Sequence, residues 1–219
     1  MLSFLLSLGM GLGPVDFDQL PAQRVEAIAH EVIENLEGHI VNKPTLIVTQ
    51  RPEPTPLGAI SYLNGKCVVI INVNEAAWSQ WGRFLKPDNA NQWDAIIAAS
   101  VAHEMGHCFK EGRQFVANHD INNAQLKGLR NTGKPTISPE TVFKQELFAD
   151  TVAVLYAKEF LAAQADTVID TMISARKRYA GNDPTHNTGP TLTALMEQAP
   201  NRLESESMGS AAHRILSSM

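Results

Sequence analysis

Apolar residues recur every three or four positions along residues 20–36, the spacing of a helix that packs one face against a core. Residues 75–85 are predicted to form a second helix, which stops near Pro87. Residues 91–111 differ from both, because apolar side chains cover nearly the whole circumference of the predicted helix. A helix that is apolar all round is a buried helix. We therefore expect residues 91–111 to lie at the centre of the core, with Gly112 ending the helix.

The strand signals lie between the first two helices. Residues 45–49 form a short apolar run that predicts one strand. Two further apolar runs, residues 59–63 and 66–73, flank the dipeptide Asn64-Gly65. Both residues of that dipeptide tolerate positive φ, which is what a two-residue hairpin turn requires. The pattern therefore predicts a β-hairpin after the first strand.

The second half of the chain begins with a polar stretch, residues 113–137, that is too long for a simple connection. Ser138 and Pro139 then place an N-cap residue before a proline suited to the first helical turn. From this point the apolar spacing predicts three more helices: residues 138–163, 166–179 and 191–198.

These elements predict one α+β domain over residues 19–200, within the usual size of a single domain. Residues 1–18 form an apolar N-terminal segment that either packs on the domain or acts as a signal. Its apolar run, residues 1–13, is shorter than the roughly 20 residues that span a bilayer, and no Lys or Arg precedes it. This favours a cytoplasmic protein, with export through a short N-terminal signal as the alternative. Residues 201–219 are expected to be a mobile tail or a short helix.

Composition excludes several classes of protein. Apolar residues make up 44% of the 219-residue chain and charged residues 19%, which excludes a disordered or fibrous protein. The net charge of −5 argues against nucleic acid as a partner. Cys67 and Cys108 are too few for a disulfide framework, and we expect both to remain thiols, with Cys108 packed in the core.

Two histidines and a glutamate interrupt the apolar pattern of the buried helix: His103, Glu104 and His107. Residues four apart lie one above the other on a helix, so the two imidazoles face one point, as two ligands of Zn²⁺ do. Glu104 points to the neighbouring side, where a carboxylate can act as general base on a metal-activated water. The alternative is a pair of core histidines satisfied by hydrogen bonds, since buried polar groups need partners.

Two acidic residues of the next predicted helix are candidates to complete the site. Glu146 lies among apolar neighbours, so its carboxylate is expected on a buried face as the third metal ligand. Asp150 lies one turn further on the same side, where it can accept the free N–H of a ligating histidine. The alternative, a solvated acidic stripe, fits poorly with the apolar neighbours.

The two motifs, HEMGH at 103–107 and ELFAD at 146–150, resemble those of the gluzincin group of zinc metallopeptidases. In that group HExxH is followed by ExxxD. The resemblance implies a zincin-like fold with a small antiparallel or mixed sheet, a buried HExxH helix and a helical C-terminal half. It also implies a role for each matching residue: zinc ligands His103, His107 and Glu146, general base Glu104, and Asp150 as support for a ligating histidine. The subfamily stays open.

Zincins also need a group that stabilises the oxyanion of the tetrahedral intermediate. His186, in the loop after the predicted helices, is the first candidate, and Tyr179, Arg178 and Tyr156 are its rivals. The remaining histidines have no partner at metal spacing: His30, His39, His119 and His213.

The sequence therefore predicts a zinc-dependent endopeptidase that acts on a peptide or protein, with no nucleic-acid partner and no transmembrane span. The zincin resemblance further implies that the strand at 67–73 is the sheet edge that pairs with substrate. One alternative is a non-catalytic binding protein that keeps the zinc scaffold and uses residues 113–137 for a partner. Another is an inactive precursor whose N-terminal segment fills the cleft.

Overall fold

A computed structural model gives the fold, and it describes residues 22–40, 42–51, 57–61, 66–74, 76–77, 92–112, 138–179, 184–198 and 201–219. Within them the fold is α+β, and six α-helices and three strands have both of their ends in the described ranges. In chain order these are α1 (Ala22–Glu37), β1 (Thr45–Thr49), β2 (Leu57–Ser61), β3 (Cys67–Asn72), α2 (Trp93–Gly106), α3 (Pro139–Phe160), α4 (Ala165–Tyr179), α5 (Gly189–Glu197) and α6 (Met208–Ser217). Two short 3-10 turns, Ala162–Gln164 and Pro184–His186, precede α4 and α5.

The sheet has the order β1-β3-β2, so the predicted strand and hairpin are confirmed. β2 and β3 pair antiparallel, with Ser61 opposite Cys67, as a hairpin requires. β1 and β3 pair parallel, so the sheet is mixed and its purely antiparallel form is wrong. The prediction that 67–73 is a free edge is also wrong, because β3 has a strand on either side and its ladder hydrogen bonds are taken.

Alternate residues of β3 face the core, which is the two-residue period of a half-buried strand. Cys67, Val69 and Ile71 are buried, whereas Val68 and Ile70 are partly exposed. α2 lies at the centre of the molecule, packed against α1, β2 and α3. Its apolar side chains are buried on all sides, as the sequence pattern predicted.

The regular part of α2 ends earlier than predicted, at Gly106 and not near Gly112. Beyond it the backbone turns more tightly, and Cys108 and Phe109 donate to carbonyls three residues back. His107 keeps helical dihedrals at the C-cap, with φ −65°. The pair His103 and His107 therefore sits at the last turn of the helix.

α3 begins where the sequence predicted. The Ser138 hydroxyl accepts the backbone N–H of Thr141 at 3.2 Å, and Pro139 occupies the first turn. α3 is buried along most of its length and packs against α2, α4, α5 and α6. For residues 201–219 the sequence predicted a mobile tail or a short helix, and the structure has the short helix. α6 packs on α3 through four buried apolar side chains: Met208, Ala211, Ala212 and Ile215.

A disulfide joins Cys67 to Cys108, so the prediction of two free thiols is wrong. Both cysteines are buried, so the predicted core position of Cys108 is confirmed. The two Cα atoms lie 5.5 Å apart, within the range that a disulfide spans. The reason is tertiary: the first residue of β3 meets the turn that follows α2. The bridge therefore ties the end of α2, the helix with the two histidines, to the sheet.

Several predicted segments lie outside the described residues. These are the N-terminal segment 1–18, nearly all of the helix predicted at 75–85, the hairpin turn itself, and the loop 113–137.

Candidate metal centre

The last turn of α2 presents the two histidines to the same space. Their ring centroids are 5.0 Å apart and the ring planes are nearly perpendicular, at 88°. His103 is buried and His107 is partly exposed. The pair therefore sits at the border between the core and the surface, where a ligand can reach it.

Glu146 of α3 reaches both histidines, one with each carboxylate oxygen. Its Oε2 lies 3.5 Å from Nε2 of His103, and its Oε1 lies 3.6 Å from Nε2 of His107. One atom from each of the three residues lies within 4.8 Å of the others. Tetrahedral zinc with bonds of about 2.0–2.1 Å keeps its ligand atoms roughly 3.4 Å apart. Two nitrogens and one carboxylate are donor types that zinc takes, and the two nitrogen–oxygen distances are close to this spacing.

A close approach of two backbones brings the ligands of α2 and α3 together. A side-chain carbon added at Gly106 would lie 2.6 Å from Cα of Ala149 and 3.0 Å from its Cβ. The two helices therefore touch where Gly106 meets Ala149. These are the fourth residues of the first and the second motif. With larger residues the helices would separate, and Glu146 would move away from both histidines.

Asp150, fully buried on α3, is bonded by three elements of the fold. Its Oδ1 lies 2.8 Å from Nδ1 of His103, where the carboxylate was predicted to accept a ring N–H. The same oxygen accepts hydrogen bonds from Arg176 of α4, from Nη2 at 2.7 Å and Nε at 3.1 Å. The Thr188 hydroxyl, just before α5, donates to Oδ2. Asp150 thus links α2, α4 and the start of α5.

Arg176 is the site residue that sequence reasoning missed. Its Nη2 lies 3.2 Å from Oε2 of Glu146 and 3.2 Å from each ring nitrogen of His103, in addition to the contact with Asp150. The side chain is partly buried, with 14% exposed. The only sequence signal for it was a basic residue in the last turn of α4, a position basic residues often take for the helix dipole.

His186 lies beside the same centre, with Nε2 3.6 Å from Oε1 of Glu146. Its Nδ1 lies 3.1 Å from the Thr185 hydroxyl. Of its predicted rivals, Tyr156 accepts a hydrogen bond from Asn35 of α1 at 3.1 Å, and the Arg178 side chain is exposed. The side chain of Tyr179 lies outside the described residues. His186 therefore lies in contact with Glu146, one of the candidate metal ligands.

The other predicted bystander histidines make contacts elsewhere. His30 lies 4.0 Å from Glu26 on α1, and Nδ1 of His39 accepts the N–H of Met208. His213 lies 3.5 Å from the Ser217 hydroxyl on α6. His119 lies outside the described residues.

Burial and charge divide the protons unequally between the histidines. Burial lowers the pKa of His103, but the charge of Asp150 and hydrogen bonds to Asp150 and Glu146 outweigh this effect and raise the pKa to about 10. Burial and the charge of His103 lower the pKa of His107 to about 4. Of the two histidines, His107 is neutral at pH 7, which is the form in which an imidazole binds a metal. His103 would have to release a proton, so metal binding should release protons.

The three carboxylates also differ. Burial raises the pKa of Glu104, and the charge of His103 offsets this only in part. Burial also acts to raise the pKa values of Glu146 and Asp150, but hydrogen bonding and charge reverse the effect. For Glu146 the main opposing partner is His103, and for Asp150 it is the charge of Arg176. Glu146 and Asp150 are therefore ionised in the folded protein, whereas Glu104 is the more basic group.

In the described part of the chain, no helix is long and apolar enough to span a membrane. No protein-family model matches this chain, and neither a curated protein nor a solved structure shows significant similarity to it. The metal centre therefore has to be interpreted from its own geometry.

Proposed function

We propose that this chain is a zinc-dependent endopeptidase of the gluzincin type, with a zincin-like fold. The ligands would be His103, His107 and Glu146. The observation that carries the proposal is the convergence of these three side chains from two helices to within 4.8 Å, with donor types and spacings that suit zinc. It is supported by the fourth residue, Asp150, which lies 2.8 Å from Nδ1 of His103.

Zinc, when bound, would supply Lewis acidity towards a carbonyl oxygen and lower the pKa of water. Glu104 would take the proton of the attacking water and pass it to the leaving amine. Its environment supports this role, because burial raises its pKa towards the range in which a carboxylate accepts a proton at neutral pH. Glu104 is also partly exposed, so a substrate can reach it.

His186 would act on the carbonyl oxygen. Its Nδ1 faces the Thr185 hydroxyl, and its Nε2 lies on the same side of Glu146 as His107. An imidazole N–H in this place can donate a hydrogen bond to the oxyanion that develops during peptide hydrolysis. Its partial exposure leaves room for the substrate beside it.

A second candidate function is a non-catalytic protein with a structural zinc site. The observation that favours it is again His186, because a third nitrogen 3.6 Å from Glu146 could serve as a fourth protein ligand. Structural zinc sites have four protein ligands, whereas catalytic ones keep a position open. Glu104 favours the enzyme, since a closed structural site has no use for a general base.

Glu104→Gln separates the two functions. For the enzyme we expect the variant to bind about one zinc ion per chain, as the wild type does, and to lose at least a hundredfold in peptide cleavage. Metal content by mass spectrometry and cleavage of a peptide library would measure the two properties. Glu34→Gln, the same change at an exposed position of α1, is the matched control and should leave both unchanged.

Three results would contradict the proposal. If the wild type binds no zinc, the metal site is wrong. If the wild type binds zinc and cleaves no peptide, or if Glu104→Gln cleaves at the wild-type rate, the mechanism is wrong. In a structural site, His186→Ala would weaken zinc binding strongly, whereas in the enzyme it would reduce cleavage and largely spare zinc.

A further inference from the structure

The guanidinium of Arg176 contacts Asp150 and also reaches the proposed donor atoms of His103 and Glu146. One nitrogen, Nη2, lies 2.7 Å from Asp150 and 3.2 Å from Glu146, and 3.2 Å from both ring nitrogens of His103. A second nitrogen, Nε, donates to Asp150 at 3.1 Å. Arg176 thus touches one residue of α2 and two of α3 from a third helix.

The charges explain why a cation is needed here. Glu146 and Asp150 are one helical turn apart, and their side chains are 12% and 0% exposed. Two carboxylates at this burial repel each other, and each is costly to keep ionised without a partner. Arginine remains protonated at every physiological pH, so Arg176 supplies a permanent positive charge between them.

The directions of the hydrogen bonds matter as well. Arg176 and His103 both bond Oδ1 of Asp150, whereas Thr188 bonds Oδ2. With both oxygens held, the carboxylate cannot rotate away from the imidazole. A ring nitrogen bonded in this way keeps its proton on Nδ1 and turns Nε2 towards the metal position.

We propose that Arg176 is a positioning residue for the metal centre. It holds Asp150 against Nδ1 of His103 and keeps Glu146 within reach, so the ligands are arranged before a metal ion arrives. This inference rests on the proposed function, because it assumes that His103 and Glu146 are metal ligands. It adds a residue that neither sequence motif contains.

The test compares Arg176→Met and Arg176→Lys with the wild type, using Zn²⁺ in competition with a chromophoric chelator. We expect Arg176→Met to bind zinc about 10–100-fold more weakly, the usual loss when an outer partner of a ligand is removed. Lysine retains the charge but not the planar pair of donors, so Arg176→Lys should recover part of the loss. Arg178→Met, an exposed arginine two residues further along α4, is the matched control and should bind like the wild type.

Co²⁺ substitution gives a readout that a merely structural role would not change. The visible absorption of bound Co²⁺ reports ligand geometry, and we expect it to be altered in both Arg176 variants and normal in Arg178→Met. A double-mutant cycle with Asp150→Asn tests the route. If Arg176 acts through Asp150, adding Arg176→Lys to Asp150→Asn should cost less affinity than it does in the wild type.

The outcomes are separable. A wild type that binds neither Zn²⁺ nor Co²⁺ overturns the proposed function. A wild type that binds both, with an Arg176→Lys variant of unchanged zinc affinity and unchanged Co²⁺ spectrum, overturns the positioning role alone. If Arg176→Met does not fold, the lysine variant and its cycle still decide the question.

Discussion

Two arginine–carboxylate pairs lie in different surroundings. Arg202 donates to both oxygens of Glu159, at 2.7 and 2.6 Å, at the surface of the protein. Arg176 donates to one oxygen of Asp150, at 2.7 and 3.1 Å, beside the metal centre. Judged by hydrogen-bond geometry, the Arg202 pair is the better of the two. The carboxylate of Glu159 is 30% exposed, however, and that of Asp150 is fully buried.

The comparison shows that burial decides how much such a pair matters. An exposed pair gains little, because water solvates both charges nearly as well when they are apart. A buried carboxylate has no such alternative, so the loss of either partner leaves a charge without compensation. Function follows the same division, since only the buried pair touches proposed metal ligands.

Of the two ionic pairs, the buried one should matter more, and Asp150→Asn tests it. Removing the anion takes away the carboxylate that lies nearest to the partly buried Arg176, at 2.7 Å, so we expect a loss of about 3 kcal/mol in the free energy of unfolding. Urea unfolding at pH 7, without added metal, measures it. A loss below 1 kcal/mol would place the buried pair in the same class as the surface pair.

The pH dependence of the free energy of unfolding provides the control for Asp150→Asn. The pKa of Asp150 is far below its ordinary value in the folded state, so its contribution to stability is complete above about pH 5. As the pH falls through the unfolded-state pKa, near 3.9, the contribution is progressively lost. The difference between the wild type and Asp150→Asn should therefore shrink by about 1 kcal/mol from pH 5 to pH 3. A constant difference would mean that packing, not charge, causes the effect.

The disulfide is a covalent link within the buried region, and its contribution to stability can be compared with that of the buried ionic pair. Cys67 and Cys108 are 41 residues apart, and closing a loop of this length corresponds to up to about 4 kcal/mol in the chain-entropy model, or typically 2–4. Replacing both cysteines with alanine should cost about that much in urea unfolding. A reductant should destabilise the wild type and leave the double variant unchanged.

Free thiols measured by alkylation under oxidising conditions would contradict this link. A disulfide persists mainly in oxidising compartments, so its presence would favour export over a cytoplasmic location, the opposite of the sequence-based preference. The sequence could not reveal the bridge, because two cysteines pair only if the fold brings them together. Nothing in the local pattern indicated that the start of β3 meets the end of α2.

The same limit separates what was predicted at the site from what was missed. His103, His107, Glu146 and Asp150 were found because helix periodicity fixes which residues share a face, and apolar neighbours indicate burial. Arg176 was missed because it reaches the centre from a different helix, whose crossing angle is not written in any local pattern. The edge role assigned to β3 failed for a similar reason, since strand order depends on long-range pairing.

Gly106→Ala should have an intermediate effect and tests how the two helices bring the site together. The added methyl would overlap Ala149, and such overpacking costs about 1–3 kcal/mol, while the gain in helix propensity returns up to about 1. We therefore expect a loss of about 1–2 kcal/mol together with weaker zinc binding. Gly38→Ala is the control, because a methyl there meets no atom within 4 Å. Zinc affinity equal to that of the wild type would show that this contact does not set the ligand spacing.

Glu159→Gln should have the smallest effect and tests the surface side of the comparison. Arg202 retains its bond to the backbone oxygen of Glu206, at 2.7 Å, so the variant loses only an exposed charge interaction. We expect the free energy of unfolding to fall by about 0–1 kcal/mol, and by less when salt screens the pair. Urea unfolding at low and high ionic strength measures both quantities, and zinc binding should not change. A loss of about 3 kcal/mol, equal to that expected for Asp150→Asn, would show that geometry and not burial governs these pairs.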